Sequence, residues 1–206
     1  MNERQRGGIS YTDTGDPGEP VVVLLRGGAE SAPWADLIAM LSPWMRVIVP
    51  EPPAEVPPED HARRVRALLE DLGVSRWAIV GEGEGGPVAQ RLALDGAVDA
   101  MILLSSSALE DADEALASLG IPVLAVYGEE DANLPATALA ERFAEVLPMA
   151  SVAVLPARGH ALLEEAPETV APLVFQWLRS QYLKVAHAHE GGPVVVTLGR
   201  RPPEDA

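Results

Sequence analysis

Few side chains in this sequence are suited to making and breaking bonds, and several of them cluster. "VGEGEGG", residues 80–86, puts two carboxylates, Glu82 and Glu84, on either side of Gly83. The stretch follows an apolar run, Trp77 to Val80, and precedes a helical pattern, Pro87 to Leu94. Strand, glycine-rich turn and helix in that order form the sharp turn on which many α/β enzymes hold a nucleophile, yet position 83 has no side chain to offer. Each flanking carboxylate has two readings. It is a general base or a ligand for a substrate cation, or it is only an acid that the helix dipole favours by about 0.3–1 kcal/mol. Ser105, Ser106 and Ser107 bring hydroxyls to the end of the next apolar run. They lie at the same edge of a sheet, or they cap the acidic segment that follows. Arg26 is either an anchor for a substrate carboxylate, through a forked pair of hydrogen bonds, or a structural arginine. There is no cysteine, hence no thiolate nucleophile, disulfide or cysteine metal site. The four histidines lack zinc-ligand spacing except for His187 and His189, which have no third ligand nearby, so neither metal nor cofactor is expected.

These residues need a scaffold, and the hydrophobic pattern supplies one. Val21 to Leu25 is a continuous β-branched and aliphatic run, as a strand buried on both faces requires. Further strands are expected at 46–49, 77–80, 100–104, 122–127 and 151–155, with helices at 34–41, 59–72, 87–94, 137–146 and 167–184. Gly73 should end the second of these helices. Strands alternating with helices imply right-handed crossovers and a mostly parallel sheet flanked by helices. Ile9 to Thr12 would add a leading edge strand. Residues 1–185 are expected to form one domain. Residues 186–206 would be an extension, either with one more strand at Val194 to Leu198 or mobile.

Composition narrows the partners. With 206 residues and 48% hydrophobic content the chain can bury a core as one domain. The formal net charge of −16 repels phosphate backbones and anionic lipids, so neither nucleic acid nor a membrane surface is expected as partner. The polar start, Met1 to Ile9, does not look like a signal peptide, and a cytoplasmic protein is expected. The oligomeric state is left open.

The order of elements resembles the α/β-hydrolase fold family, on four landmarks between residues 21 and 178. "VVVLLRGG" resembles the strand and turn before the oxyanion hole, and "VGEGEGG" the nucleophile elbow. "VLAVYGEED" resembles the strand ending in the triad acid, here Asp131. "LPARGHALLEEAPETVAPLVFQWL" resembles the segment with the triad histidine, here His160, and the closing helix. Three departures accompany the likeness. The family serine falls on Gly83, the histidine before the first glycine falls on Arg26, and only "SSSALEDADEALASLG" stands where lidded members insert a helical cap.

The resemblance implies a lidless α/β-hydrolase fold, without a cap domain, and an open cleft. It implies an oxyanion hole from the backbone N–H groups of Gly28 and Glu84, beside a substrate site at Arg26, Gly27, Glu82, Gly83 and Ser105. Without a serine, acyl-enzyme chemistry loses its attacking atom. What survives is polarisation of a carbonyl oxygen, which suits proton removal from the neighbouring carbon. The base is then His160, Glu84 or a carboxylate of the substrate, and Asp131 either orients His160 or caps the next helix. Atypical lidless, serine-free members of the family act in peptide natural-product biosynthesis. The likeness to them implies epimerisation at a peptide aspartate Cα with the aspartate's own carboxylate as base, and a peptide or small molecule as partner. Two other functions fit the residues: a pseudo-hydrolase that only binds a peptide or small molecule, and a hydrolase whose water is activated by His160 and Asp131.

Overall fold

A computed structural model describes residues 3–6, 9–27, 32–51 and 56–183. Gly28, His187, His189, the expected strand at 194–198 and the 186–206 extension lie outside the described residues.

The chain opens with β1 (Glu3–Arg6), β2 (Ile9–Thr14) and β3 (Val21–Leu25), then α1 (Ala32–Leu41), β4 (Arg46–Pro50) and α2 (Pro58–Asp71). It continues through β5 (Trp77–Glu82), α3 (Gly85–Leu94), β6 (Val98–Leu104), α4 (Asp113–Ala117) and β7 (Val123–Gly128). The last elements are α5 (Ala136–Val146), β8 (Ala150–Leu155), α6 (Leu162–Glu165) and α7 (Pro167–Leu178), which runs on as a π-helical turn, Arg179–Leu183. The strands form one eight-stranded sheet in the order β1-β2-β4-β3-β5-β6-β7-β8. Every pair from β4 to β8 is parallel, while β2 is antiparallel to both β1 and β4. The strand at Ile9 is therefore not the edge. Glu3–Arg6 pairs outside it, a polar segment that hydrophobic periodicity could not mark as a strand.

The continuous apolar runs are explained by helices on both faces. β3, β4 and β7 are buried along their whole length, whereas β8, at the edge, is only partly covered. One core packs α2, α3, α4 and α5 against the sheet through Val65, Leu68, Val88, Leu92, Leu116 and Phe143. The other packs α1, α6 and α7 through Trp34, Leu37, Leu163, Val170 and Val174. Residues alternate between them along β5: Trp77 and Ile79 join the first core, Ala78 and Val80 the second. The antiparallel strand is tied down by Arg46 of β4, whose Nε and Nη2 donate to the two carboxylate oxygens of Asp13 at 3.0 and 2.9 Å.

Between β6 and β7 the chain carries only the five-residue α4, so among the described residues no helical cap is inserted at the carboxyl edge of the sheet. Among the described residues no helix is long and apolar enough to cross a membrane.

Candidate active site

The turn after β5 is built by close backbone approach. A Cβ at Gly27 would come within 2.7 Å of the Glu82 carbonyl oxygen and 2.8 Å of the Glu84 nitrogen. A Cβ at Gly85 would overlap the Leu25 carbonyl, and one at Gly86 would overlap the Ser106 hydroxyl. The glycines of "GEGEGG" thus let α3 start directly against β3 and β6. Gly83 differs from them. It adopts φ +51°, and among the described residues a Cβ there would meet only His160 Nε2, at 3.5 Å, and Gly27 Cα, at 3.8 Å, both ordinary contacts. Position 83 therefore has room for a side chain that the sequence does not supply.

His160 points at that position because its other ring nitrogen is held. Nδ1 lies 2.8 Å from Asp131 Oδ2, and the Asp131 side chain is fully buried. Asp131 Oδ1 accepts from the N–H groups of Asn133 and Leu134 at 2.8 and 3.1 Å. Asp131 thus holds the histidine with one oxygen and the loop ahead of α5 with the other; it does not cap α5, whose start has no side-chain cap hydrogen bond. Since the carboxylate accepts at Nδ1, the neutral form of the ring carries its proton there and leaves the lone pair on Nε2. Glu165 of α6 braces the histidine loop from both sides, accepting from Gly159 N–H at 2.6 Å and from Ala161 N–H at 3.2 Å. Gly128 permits the approach, because a Cβ there would overlap the carbonyls of Arg158 and Gly159.

A cavity of about 490 Å³ opens over this turn. Arg26, Gly27, Gly83, Glu84, Ser105 and His160 all line it, together with Val56, His61, Pro87, Val88, Ser107 and Leu134. The Glu84 N–H donates to none of the described residues and opens α3, where the helix dipole favours negative charge. Its expected companion, Gly28, is outside the described residues. The Glu84 side chain is exposed at the rim and makes no cap hydrogen bond.

Glu82 is placed elsewhere. It follows Ala78 and Val80 onto the face toward α1 and α6, is absent from the cavity wall, and lies against the Leu163 amide and the Trp34 indole. Burial pushes its carboxyl above the usual range, opposed by the Leu163 amide, the His160 charge and Trp34. The expected substrate contact through Glu82 is corrected accordingly: strand alternation turns the side chain away from the cleft.

Of the three serines, Ser106 is buried beneath Gly86 with its hydroxyl donating to the Ser107 carbonyl at 2.8 Å. Ser105 lines the cavity with φ +43°, uncommon for a residue bearing a Cβ. Its N–H donates to the Val126 carbonyl at 2.9 Å, while its hydroxyl has no partner among the described residues. The segment is fixed by Gln90, whose Nε2 donates to the Ser107 carbonyl at 2.8 Å, and by Tyr127 Oη, which donates to the Ser106 carbonyl at 3.0 Å. No hydroxyl among the described residues is hydrogen-bonded to His160.

Arg26 is a buried guanidinium. Nη2 is paired with Glu51, while Nε and Nη1 have no partner among the described residues. His61 of α2 was not foreseen in the cavity wall, and its Nε2 is likewise buried without a partner. Burial and then the Arg64 charge lower its pKa. Among the described residues no group of three or more His, Cys, Asp or Glu side chains is arranged to hold a metal ion.

No family model matches the chain. Solved structures do. An α/β hydrolase from the metagenome of sediments of the Mar Chica lagoon, Morocco, superimposes with a TM-score of 0.78 and 20% identity, over 87% of this chain and 99% of that one. A CIB-like hydrolase from Thermoplasma acidophilum gives 0.75 and 20% over 87% and 98%. Carboxylesterase CesB from Bacillus subtilis gives 0.75 and 18% over 87% and 93%. The fold is therefore the α/β-hydrolase fold. Among curated proteins, the magnesium-chelatase 30 kDa subunit of Rhodobacter capsulatus is 32% identical over 124 residues, 55% of this chain and 43% of that protein. The matched stretch thus spans less than half the length of that relative.

Proposed function

We propose that the chain moves a proton on and off a carbon next to a carbonyl, with His160 as base and Asp131 as its orienting acid. The single observation behind this reading is the His160–Asp131 pair, complete and aimed at a residue without a side chain. In a serine hydrolase the same pair takes the proton of the attacking hydroxyl. Gly83 has none, so the proton accepted at Nε2 comes from the ligand.

The electron accounting is simple. The C–H bond breaks, its proton passes to Nε2, and its electron pair forms the enolate double bond as negative charge gathers on the carbonyl oxygen. On this reading the Glu84 N–H, at the start of α3, donates to that oxygen. Asp131 stabilises the imidazolium that results. Return from Nε2 of a proton first swapped with solvent gives exchange with retention; protonation of the opposite face by a solvent water, whose hydroxide then takes the proton from Nε2, gives epimerisation. The finer likeness, to the bottromycin aspartate epimerase, is accommodated: a peptide aspartate has a Cα–H next to a carbonyl and a carboxylate of its own. Because the chain carries a base, the substrate carboxylate is free here to serve as a handle.

The test is proton exchange in heavy water, followed by loss of the Cα–H signal, over aspartyl peptides, acyl thioesters and 3-oxo acids. Exchange is expected, and His160→Ala should slow it by about 10²–10⁴-fold. A second reading, water activated for hydrolysis, is favoured by the same pair and by the hydrolases that share the fold. Ester hydrolysis lost in His160→Ala, with no exchange on any candidate, would replace the first reading by the second. Ligand binding with neither activity would make the protein a binder.

A further inference from the structure

The cavity has more hydrogen-bonding capacity than proton transfer uses. Among the described residues, six buried side-chain nitrogen or oxygen atoms have no hydrogen-bond partner: Arg26 Nε and Nη1, His61 Nε2, Ser105 Oγ, Trp77 Nε1 and Arg91 Nε. Four of the six belong to Arg26, His61 and Ser105, which line this one cavity. An unpaired buried polar group costs about 1–3 kcal/mol, and folded proteins keep few of them. Their gathering in one wall is better explained by a ligand than by chance.

We propose that Arg26, Ser105 and His61 form a carboxylate subsite, so that the compound deprotonated by His160 is an acid; this names the substrate class of the proton-transfer reading and rests on it. Arg26 is 4% exposed, His61 7% and Ser105 0%, so none of the three is a solvated surface group. Glu51 holds one guanidinium nitrogen and leaves donors on the others. A buried guanidinium with unpaired Nε–H and Nη1–H groups gives a carboxylate charge-assisted hydrogen bonds, and a serine hydroxyl and an imidazole N–H satisfy the remaining lone pairs. The subsite is also next to the reaction. Arg26 precedes Gly27, whose Cβ position lies 2.8 Å from the Glu84 nitrogen that would face the enolate oxygen. One carboxylate suits it better than a phosphate dianion, because Glu51 already offsets part of the Arg26 charge and the Glu84 side chain stands exposed at the rim.

The experiment is calorimetric titration with propionate, with propionamide as the uncharged analogue of the same shape, and with inorganic phosphate. It uses the full chain and its Arg26→Gln and Ser105→Ala variants. Propionate should bind at least about tenfold more tightly than propionamide, and Arg26→Gln should lose about tenfold or more, the range for hydrogen bonds to a charged group. Ser105→Ala should weaken propionate several-fold and leave propionamide nearly unchanged. If Arg26→Gln does not fold, the propionate–propionamide ratio and Ser105→Ala decide. The proposal is overturned if propionate does not bind, if propionamide binds as tightly, if phosphate binds more tightly, or if the folded variants bind propionate like the parent. The two readings fail separately. Propionate binding of the stated pattern, with no exchange on any acid, would sink proton transfer alone. Exchange equally fast on uncharged carbonyl compounds would sink the subsite alone.

Discussion

At Gly83 the backbone already holds the left-handed conformation, φ +51°, and a side chain there would begin 3.5 Å from His160 Nε2. Gly83→Ser should therefore fold, at a cost of about 1 kcal/mol for a Cβ in that conformation, and place a hydroxyl within reach of an oriented base. Hydrolysis of p-nitrophenyl acetate should rise by at least about 10²-fold, with an acyl-enzyme burst. A Gly83→Ser/His160→Ala chain that kept the gain would show that the histidine does not activate the new hydroxyl. Glu82 makes a prediction about stability. Its carboxyl is raised by burial from the ordinary 4.5, so the folded chain holds that proton more tightly than the unfolded chain. By linkage, stability then falls as pH rises from 4.5 through the raised value, and the penalty persists above it. Glu82→Gln keeps an acceptor for Trp34 and Leu163 without the buried charge. It should melt higher than the parent at pH 7 to 8, with the difference vanishing below pH 4.5. Melting curves across that range test it, and a parent more stable at neutral pH would refute the assignment.

Among the elements, α3 depends on how closely it meets β3. Gly85→Ala drives a Cβ into the Leu25 carbonyl, and backbone cannot rotate away as a side-chain tip can. The expected loss is about 3 kcal/mol, near the top of the usual overpacking range, despite a helix-propensity gain of about 1 kcal/mol. A urea midpoint unchanged from the parent would mean that α3 can shift. The elements also show what periodicity can reveal. The central strands and the longer helices were legible because their apolar runs are long and punctuated by glycine and proline. The short α4 and α6 were not expected, since one turn leaves no period to see. The last helix stops being α-helical after Leu178, where a π-helical turn takes over. Asp131 and His160 were singled out by the family resemblance, through the segments "VLAVYGEED" and "LPARGHALLEEAPETVAPLVFQWL". Two contributors were not. Glu51 follows the strand expected at 46–49 in a proline-rich acidic segment, and His61 lies inside the helix expected at 59–72. A signal for His61 existed: it falls on the stripe that continues through Val65, Leu68 and Leu69, where a polar residue is out of place. Glu82 was misplaced for want of the same arithmetic, because Ala78, Val80 and Glu82 must share one face of β5.

For the molecule as a whole, charge and openness set how ligands arrive. A net charge of −16 repels an incoming acid until it is within reach of Arg26. Screening shortens that repulsion to about 10 Å at 0.1 M salt, so the association rate of propionate should rise with added salt while that of propionamide stays level. Rapid-mixing measurements at low and physiological salt separate the two, and a propionate rate that falls with salt would mean that Arg26 dominates the long-range field. Among the described residues only α4 stands between β6 and β7, so no inserted cap has to fold down before His160 meets a ligand. Association is then a single bimolecular event, with an observed rate linear in concentration as far as it can be followed, where a lidded relative would level off at the speed of its own closing.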